Sequence, residues 1–150
     1  MKNKENIEHK EELHQLGAEL NLIEGADADY QLVCDLSNED KIFILQSSNV
    51  CLYTPIGEHF GIVPLESMAA STPVVAMASG GPLETVVHDE TGLLVNHPFS
   101  ELQVAKELEK FILDPELASR LGSAGNSHVE KKFSFEAFSN QLEKICLSRL

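Results

Sequence analysis

The stretch VCLYTPIGEHFGIVPLE, residues 50–66, decides the fold class of this chain. It begins with a continuous apolar run, Val50–Tyr53, which is typical of a parallel strand buried on both faces. A turn containing Gly57 and Gly61 follows, and Pro64 is tolerated near the first turn of the helix that comes next. A strand, a turn and a helix in this order predict one unit of a parallel α/β sheet.

The same alternation continues on both sides of this unit. Further strands are predicted at residues 30–36, 73–77 and 91–95, so that the sheet has about four strands. Helices are predicted at residues 5–20, 38–46, 64–70, 83–88, 101–113, 115–132 and 135–147, with Ser37 as the cap of the second and Ser134 as the cap of the last one. The pattern indicates an α/β fold: a partial Rossmann-like parallel sheet flanked by helices, without the opening strands of a doubly wound domain.

Composition and charge limit the classes of partner. Eleven Lys and Arg against 24 Asp and Glu give a formal net charge of −13, which argues against binding to nucleic acid or to an anionic membrane surface. The charged start at Met1 lacks an apolar core, and no apolar run has the length of a membrane helix, so neither a signal peptide nor a transmembrane segment is predicted. The histidines show no metal-ligand spacing, so no protein-held metal or cofactor is predicted.

Two acids in residues 50–66 are candidate ligand-binding residues. Glu58 lies in the turn and Glu66 about two turns into the helix, so both can face one ligand at the carboxyl edge of the sheet. A carboxylate at Glu66 can accept hydrogen bonds from both hydroxyls of a ribose. The spacing alone is equally consistent with a glutamate that is solvated on the helix surface and binds no ligand. Glu58 can hold sugar hydroxyls, or it can be an acid favoured by the helix macrodipole.

Glycines allow the backbone to come close to such a ligand. In residues 60–62 a glycine lies between Phe60 and an isoleucine, and the free amides at the start of the helix can face sugar or phosphate oxygens. The simpler alternative is a loop glycine with Phe60 in the core. The turn at residues 79–81, which leads to Glu84, permits the same approach or an ordinary strand-to-helix connection. His59 can touch the ligand, although a surface role is the simpler interpretation. Together the two turns indicate a sugar-nucleotide site.

The two acids match the E-x7-E motif of retaining glycosyltransferases of family 4, which have the two-domain GT-B fold. The string YTPIGEHFGIVPLESM, residues 53–68, followed by SGGPLE, residues 79–84, closely resembles the α-1,3/1,6-mannosyltransferases of the dolichol pathway. The resemblance covers about residues 5–147. It implies transfer of mannose from GDP-mannose to a lipid-linked oligosaccharide in N-glycan precursor assembly, on the cytosolic face of the endoplasmic reticulum membrane.

The resemblance also implies roles for single residues. The residues implied to bind the donor sugar are Glu58, His59, Phe60, Gly61 and Ile62. The residues implied to bind the nucleotide are Glu66, Val63, Gly80, Gly81 and Glu84. No side chain is implied as a catalytic nucleophile, because retention can proceed with the leaving diphosphate taking the proton of the acceptor.

The chain departs from this family in what it lacks. Nothing in residues 1–150 corresponds to the N-terminal acceptor domain, or to the first βα unit whose Arg and Lys neutralise the diphosphate. The chain is therefore predicted to be an incomplete C-terminal GDP-sugar-binding domain that needs a partner chain for the N-terminal half and does not transfer mannose alone. Two alternatives stay open: a non-catalytic sugar-nucleotide-binding or scaffold subunit, and another GT-B glycosyltransferase or an epimerase.

Overall fold

The structure is a computed structural model that describes residues 4–26 and 28–148, with side chains from residue 8 onward. The charged start at Met1 lies outside the described residues. The chain divides into two compact units, Met1–Asn38 and Glu39–Leu150, and each is described by itself.

The first unit is built around one helix. Helix α1 spans Lys4–Glu19, which confirms the helix predicted at residues 5–20. The Tyr30 ring lies so close to Gly17 that a Cβ atom at that glycine would overlap it. The backbone amide of Ile23 donates a hydrogen bond to the Asp29 carboxylate at 2.7 Å, which closes the turn after the helix.

The strand predicted at residues 30–36 is wrong. Tyr30 makes only an isolated bridge with Glu24, and the φ angle of Asp35 is 56°, a left-handed conformation that interrupts an extended strand. Within the described part of the chain, residues 31–36 pair with no strand. An apolar segment becomes a strand only where a neighbour supplies packing and hydrogen-bond partners. The sheet therefore has three strands where about four were predicted.

The second unit contains a parallel sheet with the strand order β1-β2-β3. The strands are β1 (Cys51–Tyr53), β2 (Val74–Met77) and β3 (Gly92–Val95). Both β2 and β3 are buried throughout, as predicted, but Leu52 of β1 is 43% exposed. Burial of β1 on both faces was therefore a wrong prediction, because the face of β1 that carries Leu52 is open to solvent.

A helix follows each of the three strands, as the alternation predicted, and the second unit contains further helices before β1 and after the helix that follows β3. The helices are α2 (Asn38–Ser47), α3 (Ile62–Ala69), α4 (Pro82–Thr85), α5 (Glu101–Leu113), α6 (Leu117–Phe133) and α7 (Phe135–Leu147). The Ser134 hydroxyl accepts a hydrogen bond from the Ala137 amide at 3.1 Å, which confirms the predicted cap.

Helix α4 ends three residues earlier than predicted, because Val86 is extended and the chain turns there towards the bridge between His88 and Gly92. Among the described residues no helix combines the length and the apolar composition needed to cross a membrane.

The core has two layers, one on each face of the sheet. Val74 and Ala76 of β2 pack in a cluster with residues of α3, whereas Val75 and Met77 pack in a second cluster with residues of α5 and α6. This alternation follows from the two-residue period of a strand. Because β1 and β2 are neighbouring parallel strands, the loops that follow them emerge at the same edge of the sheet.

Candidate functional site

Two loops form the candidate site. The first loop, residues 54–61, connects β1 to α3, and the second loop, residues 78–81, connects β2 to α4. Both leave the carboxyl ends of adjacent parallel strands, which is where open α/β sheets bind ligands.

Backbone contacts hold the two loops together. The Gly81 amide donates a hydrogen bond to the Glu58 carbonyl at 2.7 Å, and the Gly57 amide donates one to the Ser79 hydroxyl at 3.0 Å. A Cβ atom at Gly80 would overlap the Glu58 carbonyl, and a Cβ atom at Gly81 would overlap the Phe60 carbonyl. The close approach predicted for this glycine pair is therefore an approach to the first loop of the protein itself.

The first loop ends at the start of α3. Gly61, which precedes the helix, has φ 69° and ψ 80°, and no side chain caps the helix. The amides of Ile62 and Val63 belong to the first turn and have no acceptor within the helix, while Pro64 carries no amide hydrogen. The α3 N-terminus therefore presents uncapped donors beside the first loop, as the position of Gly61 predicted.

The side chain of Tyr53 lies next to Gly61 at the end of the first loop. A Cβ atom at Gly61 would lie 3.3 Å from the Tyr53 hydroxyl oxygen. Burial, followed by the nearby carboxylate of Glu58, raises the pKa of the Tyr53 phenol above its usual value. The phenol is therefore protonated at neutral pH and remains a hydrogen-bond donor close to the Glu58 side chain.

Glu66 lies in the second turn of α3 and forms an ion pair that the sequence did not predict. Lys41 Nζ of α2 donates a hydrogen bond to Glu66 Oε1 at 2.6 Å. The two side chains are 38% and 31% exposed, so the pair is only partly shielded from water. No local pattern signals it, because 25 residues separate its members. A cation therefore lies beside one of the predicted site residues, and the absence of the cations that face the diphosphate stays a prediction.

The other predicted residues lie at the exposed rim. The side chains of Glu58, His59 and Glu84 are exposed, and Glu84 lies in the first turn of α4, as predicted. The structure joins Glu58 to the second loop through its backbone carbonyl, and Glu66 is held by a partner of its own. Whether these carboxylates share a ligand stays a prediction.

An aromatic chain anchors the first loop to α6, and the sequence did not indicate it. Phe60 is 47% exposed, and its ring meets Phe133 at 6.3 Å between centroids in an edge-to-face contact. The Phe133 ring in turn lies 5.6 Å from the ring of His128. Burial, followed by the ammonium group of Lys132, lowers the pKa of His128, so this ring is neutral at physiological pH. These ring contacts connect the first loop, which carries Glu58, to the C-terminal part of α6.

A pocket of about 470 Å³ opens beside α5 and reaches the first residue of the first loop. It is mostly apolar and is lined by Thr54, Met77, Phe99, Ser100, Glu101, Val104, Ala105 and Leu108. None of the predicted site residues lines it. The pocket provides a second location against which the candidate site can be tested.

Comparison with known proteins identifies the family. The family model described as Glycosyl transferases group 1 matches residues 6–128, a range that includes both loops and α3. The chain belongs to this family. The human α-1,3/1,6-mannosyltransferase ALG2 is 41% identical over 138 residues, which cover 92% of this chain and 32% of that protein. The predicted resemblance to α-1,3/1,6-mannosyltransferases is therefore confirmed, although this group 1 chain spans only about a third of the length of such curated relatives.

Solved structures of similar proteins agree with the fold. Sucrose-phosphate synthase from Thermosynechococcus elongatus superimposes with a TM-score of 0.75 at 31% identity, covering 93% of this chain and 34% of that one. The C-terminal domain of the glycosyl transferase group 1 family protein LpcC from Francisella tularensis gives a TM-score of 0.73 at 25% identity, with 89% and 66% covered. The predicted Rossmann-like α/β domain of GT-B type is confirmed.

Proposed function

We propose that this chain is the donor-binding part of a retaining mannosyltransferase that uses GDP-mannose. The observation that most supports the proposal is that a backbone hydrogen bond joins the two loops beside the uncapped N-terminus of α3. The group 1 family match and the resemblance to α-1,3/1,6-mannosyltransferases agree with it.

The proposed ligand extends from α3 to the first loop. Glu66 accepts hydrogen bonds from the ribose hydroxyls through the carboxylate oxygen that Lys41 does not occupy. The backbone donors at Gly61, Ile62 and Val63 face the phosphate and sugar oxygens, because amides at a helix N-terminus favour anionic groups. Glu58, which is exposed at the rim, accepts hydrogen bonds from the mannose hydroxyls.

The proposed reaction uses no side chain as a nucleophile. The bond between the anomeric carbon and the diphosphate oxygen breaks, and the diphosphate leaves with the electron pair. A hydroxyl oxygen of the acceptor then forms its bond on the same face of the sugar, and its proton passes to the leaving diphosphate. The residues of the chain bind and orient the donor in this scheme, since positioning alone can lower a barrier substantially.

The proposed acceptor is a dolichol-diphosphate-linked oligosaccharide, extended at the cytosolic face of the endoplasmic reticulum membrane during N-glycan precursor assembly. Another domain or a partner chain would hold this acceptor and supply the cations that face the diphosphate. The similarity to α-1,3/1,6-mannosyltransferases motivates this part of the proposal.

Donor preference tests the proposal. In NMR titrations of the ¹⁵N-labelled chain, we expect GDP-mannose to bind at least about threefold more tightly than GDP, because each hydrogen bond to a charged group contributes more than about 0.7 kcal/mol. Glu58→Gln should reduce this difference while leaving the affinity for GDP unchanged.

UDP-glucose and GDP-glucose are the comparison ligands for this titration. Tighter binding of UDP-glucose than of GDP-mannose would replace the proposal with another glycosyltransferase specificity. Equal affinities for GDP and GDP-mannose would contradict the sugar subsite at Glu58.

A further inference from the structure

The ion pair between Lys41 and Glu66 joins two different helices. Lys41 belongs to α2 and Glu66 to α3, so the fold brings them together across 25 residues of sequence. The pair between Lys110 and Glu107 is different, because its members lie three residues apart in α5 and meet through local helix geometry. Only the first pair involves a residue of the candidate site.

The contact with Lys41 leaves one carboxylate oxygen of Glu66 able to accept hydrogen bonds from a ribose. Lys41 Nζ donates to Oε1 at 2.6 Å, and among the described residues no hydrogen bond to Oε2 is present. A carboxylate offers about four lone-pair sites, so Oε2 can still accept from two neighbouring hydroxyls. Holding one oxygen fixes the rotamer of a flexible side chain before the ligand arrives, which reduces the ordering cost of binding.

The same contact balances charge where an anionic ligand has to approach. The chain carries a formal net charge of −13, and an uncompensated carboxylate beside the ligand would repel a nucleotide diphosphate. The ammonium group of Lys41 neutralises Glu66 locally. It touches the carboxylate and not the reacting atoms, so it acts through Glu66.

We propose that Lys41 is a positioning residue that orients Glu66 for the ribose of the donor nucleotide. This inference rests on the proposed function, and it adds a residue that neither the E-x7-E motif nor the two loops contain. Removal of Lys41 should therefore weaken the recognition of the ribose hydroxyls in particular.

Paired titrations with two ligands test the positioning role. The ligands are GDP-mannose and its analogue lacking both ribose hydroxyls, and the variants of the full chain are Lys41→Met, Lys41→Arg and the control Lys110→Met. We expect Lys41→Met to raise the Kd for GDP-mannose about fivefold more than the Kd for the analogue, the size of one side chain's ordering cost. The loss of charge balance weakens both ligands, whereas the loss of Glu66 orientation weakens only the ligand that carries the ribose hydroxyls. Lys41→Arg should retain the wild-type ratio of the two Kd values within about twofold, because it keeps a cation that can pair with the carboxylate. Lys110→Met should leave the ratio unchanged.

The ratio separates positioning from a general effect on the fold. If Lys41→Met weakens both ligands equally, or leaves the ratio of their Kd values at the wild-type value, the positioning role is overturned while GDP-mannose binding by the wild-type chain still supports the proposed function. A wild-type chain that does not bind GDP-mannose, or that binds both ligands equally, overturns the positioning role together with the ribose site. Amide spectra of the ligand-free variants report whether each one folds, and Lys41→Arg provides the second test at the same position.

Discussion

Gly81→Ala should lower the free energy of unfolding of the chain by about 3 kcal/mol, the upper range for adding a methyl group where there is no space. The backbone of Gly81 has φ −52° and ψ −41°, which alanine adopts freely, so the expected cost comes only from overlap with the Phe60 carbonyl. That carbonyl belongs to the backbone, so a side-chain rotation cannot relieve the overlap. The first loop would have to move, and the hydrogen bond from Gly81 to Glu58 would be lost.

Gly57→Ala, in the first loop, is the matched control. Nothing lies within 4 Å of a Cβ atom at Gly57, so only its φ of 74° is unfavourable for alanine. The expected loss in free energy of unfolding is about 1 kcal/mol. Urea unfolding followed by circular dichroism at 222 nm would measure both variants. Equal losses for the two substitutions, or a larger loss for Gly57→Ala, would contradict the packing of the second loop on the first.

Glu66→Ala should weaken GDP-mannose binding by about 30-fold, because a charged acceptor of ligand hydrogen bonds contributes about 2 kcal/mol. The effect on stability should be less than about 1 kcal/mol, since the ion pair with Lys41 is about one third exposed and is screened by water. A large loss of affinity with a small loss of stability separates a ligand contact from a structural contact.

Glu109→Ala provides the control for Glu66→Ala. Glu109 is an exposed glutamate in α5, so its removal changes the net charge equally without touching either loop. Isothermal titration or NMR titration would measure the affinities. Unchanged or tighter donor binding by Glu66→Ala, or an equal loss in both variants, would show that Glu66 does not contact the ribose.

Elements with local signals could be predicted from the sequence. The bounds of α5 and α7 agree with the prediction, because Ser100 and Ser134 each cap the helix that follows through a contact three residues away. The segment at residues 30–36 was predicted incorrectly, because strand formation depends on a neighbour that no local pattern specifies. Helix α4 was predicted too long for a similar reason, since the bridge at His88 is a contact outside the helix.

The candidate site shows the same division between local and distant contacts. The motif predicted that Gly80 and Gly81 allow a close approach, but it could not specify that the approaching group is the first loop, more than 20 residues earlier. The motif predicted Glu66 as a ligand-binding acid, but its partner Lys41 lies in another helix. Sequence therefore indicated the acids and the glycines, whereas the contacts that orient them required the fold.

Mapping of GDP-mannose on the chain by amide chemical shifts would show whether the two loops bind the donor. We expect the amides that shift on titration to belong to residues 57–66 and 79–84, with the largest changes at Gly61, Ile62 and Val63. Shifts confined to the pocket beside α5, around Phe99 and Val104, would contradict donor binding by the two loops, as would a spectrum that GDP-mannose leaves unchanged.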